Sequence, residues 1–385
     1  GCTTGAQASC DNGVLITLEG GYNITLDNIG IINSNTAYGS GGAINTSPRL
    51  LNAKVQNSVF RYNTGGGLVD ISNFMKFKDN VVSDNTALNT VNSAGGQQGA
   101  VWLIRNQGFF YEITDNIFER NEVGIMRTSG TGTNKSSAVV DMIGDHGVFA
   151  RNKCLQSAST CVNVAPGVRH IDIYKNVFDV GTYVALSGDF TYGAGLYIST
   201  EEGTSGGNTE YVDIHHNDFL HSAKFTSLGD TAPSSGAHIL IRDTGNDLSF
   251  GGIGVGGVNI TYNNFQNSSI YSSAIGIRGA DDPDNGRIYF SDNVLNQGRI
   301  AVATYSPAGT GVVELDSGAA GSTADDGVGL LSCGSNRIGG VTHTAYVWSA
   351  AREWPTQCVS KNTPLLRGVM TSANSPDCDA STELT

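Results

Sequence analysis

The sequence predicts an all-β chain folded as a single parallel β-solenoid of about ten or more coils with capped ends. Three observations predict it. An apolar-x-apolar-x-x-Asn-x-apolar unit recurs along most of the chain. Its copies are unevenly spaced, about 34 residues apart on average, as coils of constant core and variable loops would be. Glycine is abundant and charge scarce: 51 of 385 residues are Gly and 15% are charged, against roughly 25% charged in an average soluble domain.

The clearest copy is Ile171-Asp172-Ile173-Tyr174-Lys175-Asn176-Val177-Phe178. Its relatives centre on Asn80, Asn116, Asn217, Asn263 and Asn293, with weaker copies at Ile29, Ser58, Asn152 and Asn336. Alternation within the unit turns Ile171 and Ile173 inward and Asp172 and Tyr174 outward. Asn176 is expected to turn the chain, because Asn tolerates the left-handed region and bonds backbone through its amide. Stacked on Asn217 and Asn263 about 4.8 Å apart, it would also form an amide ladder. A small-residue patch and a further apolar strand follow, as in Gly42-Ala43-Ile44 and Ala274-Ile275-Gly276-Ile277. One coil cannot bury its own face, so stacking must close the core. The glycines are expected where one coil corners into the next.

The expected layout has three parts. Residues 1–19, with Cys2 and Cys10, form an N-terminal cap. Residues 20–350 form the solenoid. Residues 351–385 lose the repeat and read as a C-terminal cap or tail. Cysteine spacing pairs Cys2 with Cys10, Cys154 with Cys161 and Cys333 with Cys358, leaving Cys378 over. Such short-range pairs point to disulfides and an oxidising compartment. No Cys/His cluster has zinc spacing, so no metal is predicted. The chain starts at Gly1, which fits a cleaved export signal and a secreted, extracellular location. Sequons at Asn23, Asn45, Asn134, Asn259 and Asn267 are glycosylation candidates where the source glycosylates secreted proteins.

Composition also excludes. With 22 Lys and Arg against 35 Asp and Glu, the net charge of −13 argues against a nucleic-acid partner. No apolar run approaches the ~20 residues of a membrane span.

On the repeat over roughly residues 20–350, the chain resembles the right-handed parallel β-helix superfamily, which includes pectate lyases, phage tailspikes and secreted adhesins. Gly41-Gly42-Ala43-Ile44, preceded by Asn35-Thr36-Ala37, is locally similar to repeats of polymorphic-membrane-protein-type adhesins. The resemblance implies the fold and leaves the activity open. Signature sets of the superfamily's polygalacturonases, mannuronan epimerases and pectate lyases are not found.

Candidate chemistry gathers on the outward face of the strand before each Asn. One coil offers His170, Asp172 and Tyr174, and the next offers Tyr211, Asp213 and His215. Asp172 and Asp213 should lie about 5 Å apart, the separation of a retaining glycosidase's carboxyls. Two like charges so close would raise one pKa. The superfamily's lyases and epimerases abstract a proton beside a uronate, a role open to His215 or Tyr211 by that resemblance. Arg242 and Arg278 close successive second strands and are candidates to grip anionic sugar. The turn holding Asp281, Asp282 and Asp284 offers oxygens to calcium but lacks EF-hand spacing, so an acidic turn is favoured.

The resulting expectation is a secreted structural or adhesive solenoid, a subunit of a surface filament. Its partners would be copies of itself end to end, other extracellular surface components, or glycans. The alternatives are a polysaccharide lyase, epimerase or hydrolase acting on acidic glycans, or a phage-type tailspike.

Overall fold

The computed structural model describes the strands and tight corners within residues 16–348; residues 1–15, residues 349–385 and most longer connections lie outside the described residues. Every described element is a β-strand. Except at the C-terminal end, the strands of the long sheets pair in parallel with their counterparts in the next repeat. One 11-stranded sheet starts at Thr25–Asp27 and passes through Tyr111–Thr114, Arg169–Tyr174, Thr209–His215 and Val255–Thr261. A second 11-stranded sheet starts at Gly30–Ile32 and includes Val81–Ser83, Lys153–Leu155, Val177–Asp179 and Asp218–His221. A third, of seven strands, includes Ala138–Met142, Thr160–Val164, Leu196–Ser199, Gly236–Arg242 and Ser272–Arg278. Parallel sheets stacked this way are the arrangement of a β-solenoid. At the C-terminal end the direction reverses: Tyr346–Trp348 pairs antiparallel with Leu331–Gly334, and Val341–Thr342 with Arg337–Ile338.

The alternation read from the repeat sets the burial. Ile171, Ile173 and Phe178 are buried, while Asp172 and Tyr174 are partly exposed. Phe178, Phe219 and Phe265 stack with centroids 4.9 and 4.8 Å apart. Each buried Phe is worth about 1.5–3 kcal/mol of transfer free energy. Offset stacking adds about 0.5–1.5 kcal/mol per pair.

A buried amide ladder runs beside this core. The Asn176 backbone N–H and Nδ2 both donate to Asn217 Oδ1, at 3.0 and 2.9 Å. Asn176 Nδ2 also donates to the Phe149 carbonyl of the preceding repeat at 2.9 Å. The pattern recurs at Asn80, Asn116, Asn152, Asn217 and Asn263, ending on Asn293. At the N-terminal end Ser58 replaces Asn: its hydroxyl accepts from the Ile29 N–H. From Asn80 to Asn263 each amide thus uses its oxygen and both N–H groups, as a buried polar group must. A carboxylate of the same shape has no donors and would carry charge into the core. A second amide ladder, Asn63–Asn85–Asn121, lies at the next corner.

The corner itself corrects one expectation. Asn176 does not take the left-handed conformation; Lys175 before it does, with φ 55°. The same holds along the stack, at Asp79, Asp115, Arg151, His216, Tyr262 and Asp292. These corners are not built on glycine either. Such residues cost roughly 1–2 kcal/mol in this region. The cost is offset because the corner peptide stays in the ladder: the Lys175 N–H donates to the His215 carbonyl, and the His216 N–H to that of Thr261.

Of the expected disulfides, Cys154–Cys161 forms, with a Cα–Cα distance of 6.3 Å, tying the second sheet to the third. Cys2, Cys10, Cys358 and Cys378 lie outside the described residues. Cys333 sits opposite Phe290 and Tyr346.

Candidate functional site

The outward face of the first sheet brings the candidates together by register. Asp172 lies opposite Asp213, and Tyr174 opposite His215. The carboxylates nevertheless have different partners. His215 Nε2 reaches diagonally to Asp172 Oδ1 at 3.0 Å. Asp213 Oδ1 accepts from Asn259 Nδ2 of the following repeat at 2.7 Å. The Tyr174 ring lies flat on the His215 imidazole, centroids 5.2 Å apart and planes within 3°. Burial pushes the Asp172 carboxyl above its ordinary value; His215 works against that shift, and Asp213 adds to it. The result is an oriented imidazole–carboxylate pair flanked by a second carboxylate.

His170 and Tyr211 stand apart from this pair. Simple alternation puts them on the Asp172 face, but both are left-handed corner residues, each with φ 57°. That kink turns their side chains into a separate column. Their rings stack with centroids 4.9 Å apart. The column continues backward through His146, Phe110 and Phe74 at 4.6, 4.5 and 5.3 Å. Tyr211 ends it 56% exposed. The sequence signal for the column is the residue just before each inward apolar strand. It becomes visible only once register aligns residues that are 24 to 41 positions apart.

Arg242 and Arg278 are register partners in the third sheet, with Asp316 opposite Arg278. The acidic turn at Asp281, Asp282 and Asp284 lies outside the described residues. So do the sequons at Asn134 and Asn267, whereas Asn23, Asn45 and Asn259 lie on described strands or corners. The Asn23 side chain accepts a hydrogen bond from Asn52. Among the described residues, no group of three or more His, Cys, Asp or Glu is placed to hold a metal ion. Nor is there among them a helix long and apolar enough to cross a membrane.

Compared with protein-family models, curated proteins and solved structures, the chain finds no match in any of the three.

Proposed function

We propose that the chain is a secreted structural or adhesive rod, a right-handed parallel β-helix of about ten or more coils. It would join copies of itself end to end, or meet other components of an extracellular surface. One observation carries this reading: outward charges are used between neighbouring repeats. Asp172 meets His215, Asp115 meets Arg151, Glu112 meets Lys76, and Asp84 meets both Arg61 and Arg120. Such pairs hold rungs in register, and the charges in them are taken up between repeats. Sugars on Asn23, Asn45 and Asn259 would decorate this rod where the source glycosylates secreted proteins. Electron microscopy of native material tests the reading. Head-to-tail polymers are expected, since an unclosed heterologous contact makes a filament. Uniform monomers that attach to no surface would refute it.

The imidazole–carboxylate pair favours a second reading, an enzyme acting on acidic polysaccharides. A carboxylate that fixes an imidazole's tautomer is the usual way to orient a general base. Release of unsaturated sugar from a panel of uronic polysaccharides, lost in His215→Ala, would establish it. A silent panel would dismiss it.

A further inference from the structure

The strongest uncommitted chemistry lies at one corner of the first sheet. His215 ends the strand Thr209–His215, and His216 is the left-handed corner residue after it, with φ 56°. Consecutive residues of a regular strand point to opposite faces. The left-handed kink at His216 cancels that alternation and brings both imidazoles out on one side. Their planes stand at 84°, and the two Nδ1 atoms approach to 2.9 Å.

Other features restrict these rings. The His215 Nε2 is engaged with Asp172 Oδ1 at 3.0 Å. That bond places its proton on Nε2 and leaves a lone pair on Nδ1, facing His216. Tyr174 packs flat against His215, and Tyr262 stacks on His216 at 5.3 Å. The two rings are therefore held before any ligand arrives. A metal-binding histidine commonly donates its other N–H to a carboxylate, as His215 does to Asp172.

We infer that His215 and His216 are a two-nitrogen seat for a divalent transition-metal ion of the copper(II) or nickel(II) class, with Asp172 as its positioning carboxylate. The bite angle selects the class. Metal–nitrogen bonds of about 2.0–2.1 Å across a 2.9 Å gap enclose an angle of about 90°. Those are cis positions of a square-planar or tetragonal ion. A tetrahedral ion needs nitrogens about 3.3 Å apart at the same bond length. The ion sits to one side of the line joining the two Nδ1 atoms, and the proton that His216 Nδ1 held moves, by way of solvent, to its Nε2. Water fills the remaining positions, which His216 leaves open on the exposed corner. Repeats on either side place Tyr174–Lys175 and Thr261–Tyr262 at the same two positions, so the seat belongs to one repeat. The seat does not rest on the rod reading, and an ion on His215 Nδ1 would occupy the nitrogen that a general base needs.

Copper(II) salt titrated into the full chain and followed by electron paramagnetic resonance tests this inference. The expected result is a tetragonal signal with hyperfine splitting from two imidazole nitrogens. His216→Ala should lower copper affinity at least tenfold and reduce the coupling to one nitrogen. Asp172→Asn should weaken binding about 10-fold, the lower end of the range for such an outer partner. His146→Ala and His170→Ala, which alter the ring column, should bind like the parent. His216 sits on an exposed corner, so its variant should keep the parent's strand circular dichroism; if it does not, His216→Gln takes its place in the titration. Unchanged affinity in the His216 variant overturns the inference. So does a sulfur-ligated spectrum, or loss of binding in the His146 or His170 variant instead.

Discussion

At the residue scale, a buried amide and an exposed corner residue one position away obey different rules. Asn152 accepts from the Asn116 N–H and Nδ2 and donates to the Ile113 carbonyl. Asn152→Leu leaves those groups buried and unpaired, at about 1–3 kcal/mol each. Chemical denaturation should therefore show a loss of at least about 3 kcal/mol. Lys175→Gly should behave otherwise. Glycine relieves the left-handed corner but costs chain entropy, so the net change stays within about 1 kcal/mol. If Lys175→Gly proved the more damaging, the account of the corner would be wrong. Asp84 gives a residue-scale dependence on pH. The bidentate Arg120 bond, at 2.6 and 3.0 Å, is the main cause holding its carboxyl down from 3.8 to about 2, and Arg61 adds to it. A depressed folded value stabilises the fold above the unfolded value, and that stability is lost as pH falls through the folded one. The contribution, about 2 kcal/mol, is present at neutral pH and disappears between pH ~4 and ~2. Asp84→Asn should lower neutral stability by that order and flatten this part of the acid-denaturation curve.

At the scale of the element, what matters is how a strand fits the strand beneath it. Tyr111 is fully buried in the first sheet, and its hydroxyl donates to the Gly144 carbonyl at 3.3 Å. Its register partner is Gly147, where any Cβ would fall on the tyrosine ring. Gly147→Ala should cost about 1–3 kcal/mol by overpacking. Adding Tyr111→Leu should return part of that loss, a coupling that thermal melts of the double-mutant cycle would detect. The inward half of each element was legible in the sequence, because Ile171, Ile173, Asn176 and Phe178 face the same core in every repeat. The outward half was not. Corner positions such as Asp115, Arg151, Lys175 and His216 share a backbone conformation but no side-chain type, so no motif marks them. Asp172 and His215 were both legible as outward residues. Their hydrogen bond was not, because it runs diagonally between repeats: same-face alternation suggested a carboxylate pair, and the longer imidazole reached Asp172 first. The Asn63–Asn85–Asn121 ladder is not legible as a motif, because among the described residues three repeats carry it.

At the scale of the whole molecule, each repeat touches only its neighbours, so stability should grow with the number of interfaces a repeat makes. The repeats around Asn152, Asn176 and Asn217 have neighbours on both sides and a strand in each of the three long sheets. They also hold the Cys154–Cys161 disulfide and the start of the Phe178–Phe219–Phe265 stack. Among the described residues, the strand Thr25–Asp27 pairs on one side only and lies at the edge of its sheet. Opening should begin at such edges and reach the centre last, because freeing a central strand breaks two interfaces and freeing an edge strand breaks one. Native-state hydrogen exchange reads this gradient directly. The amides of Phe149, Ile173 and Ile214 should exchange most slowly, and those of Leu26 and Ile31 faster by orders of magnitude. Reducing the disulfide should raise exchange at Cys154 and Cys161 and in the strands paired with them, while leaving Leu26 unchanged. Uniform protection along the axis would mean that the stack opens as one unit, and the nearest-neighbour account would fail.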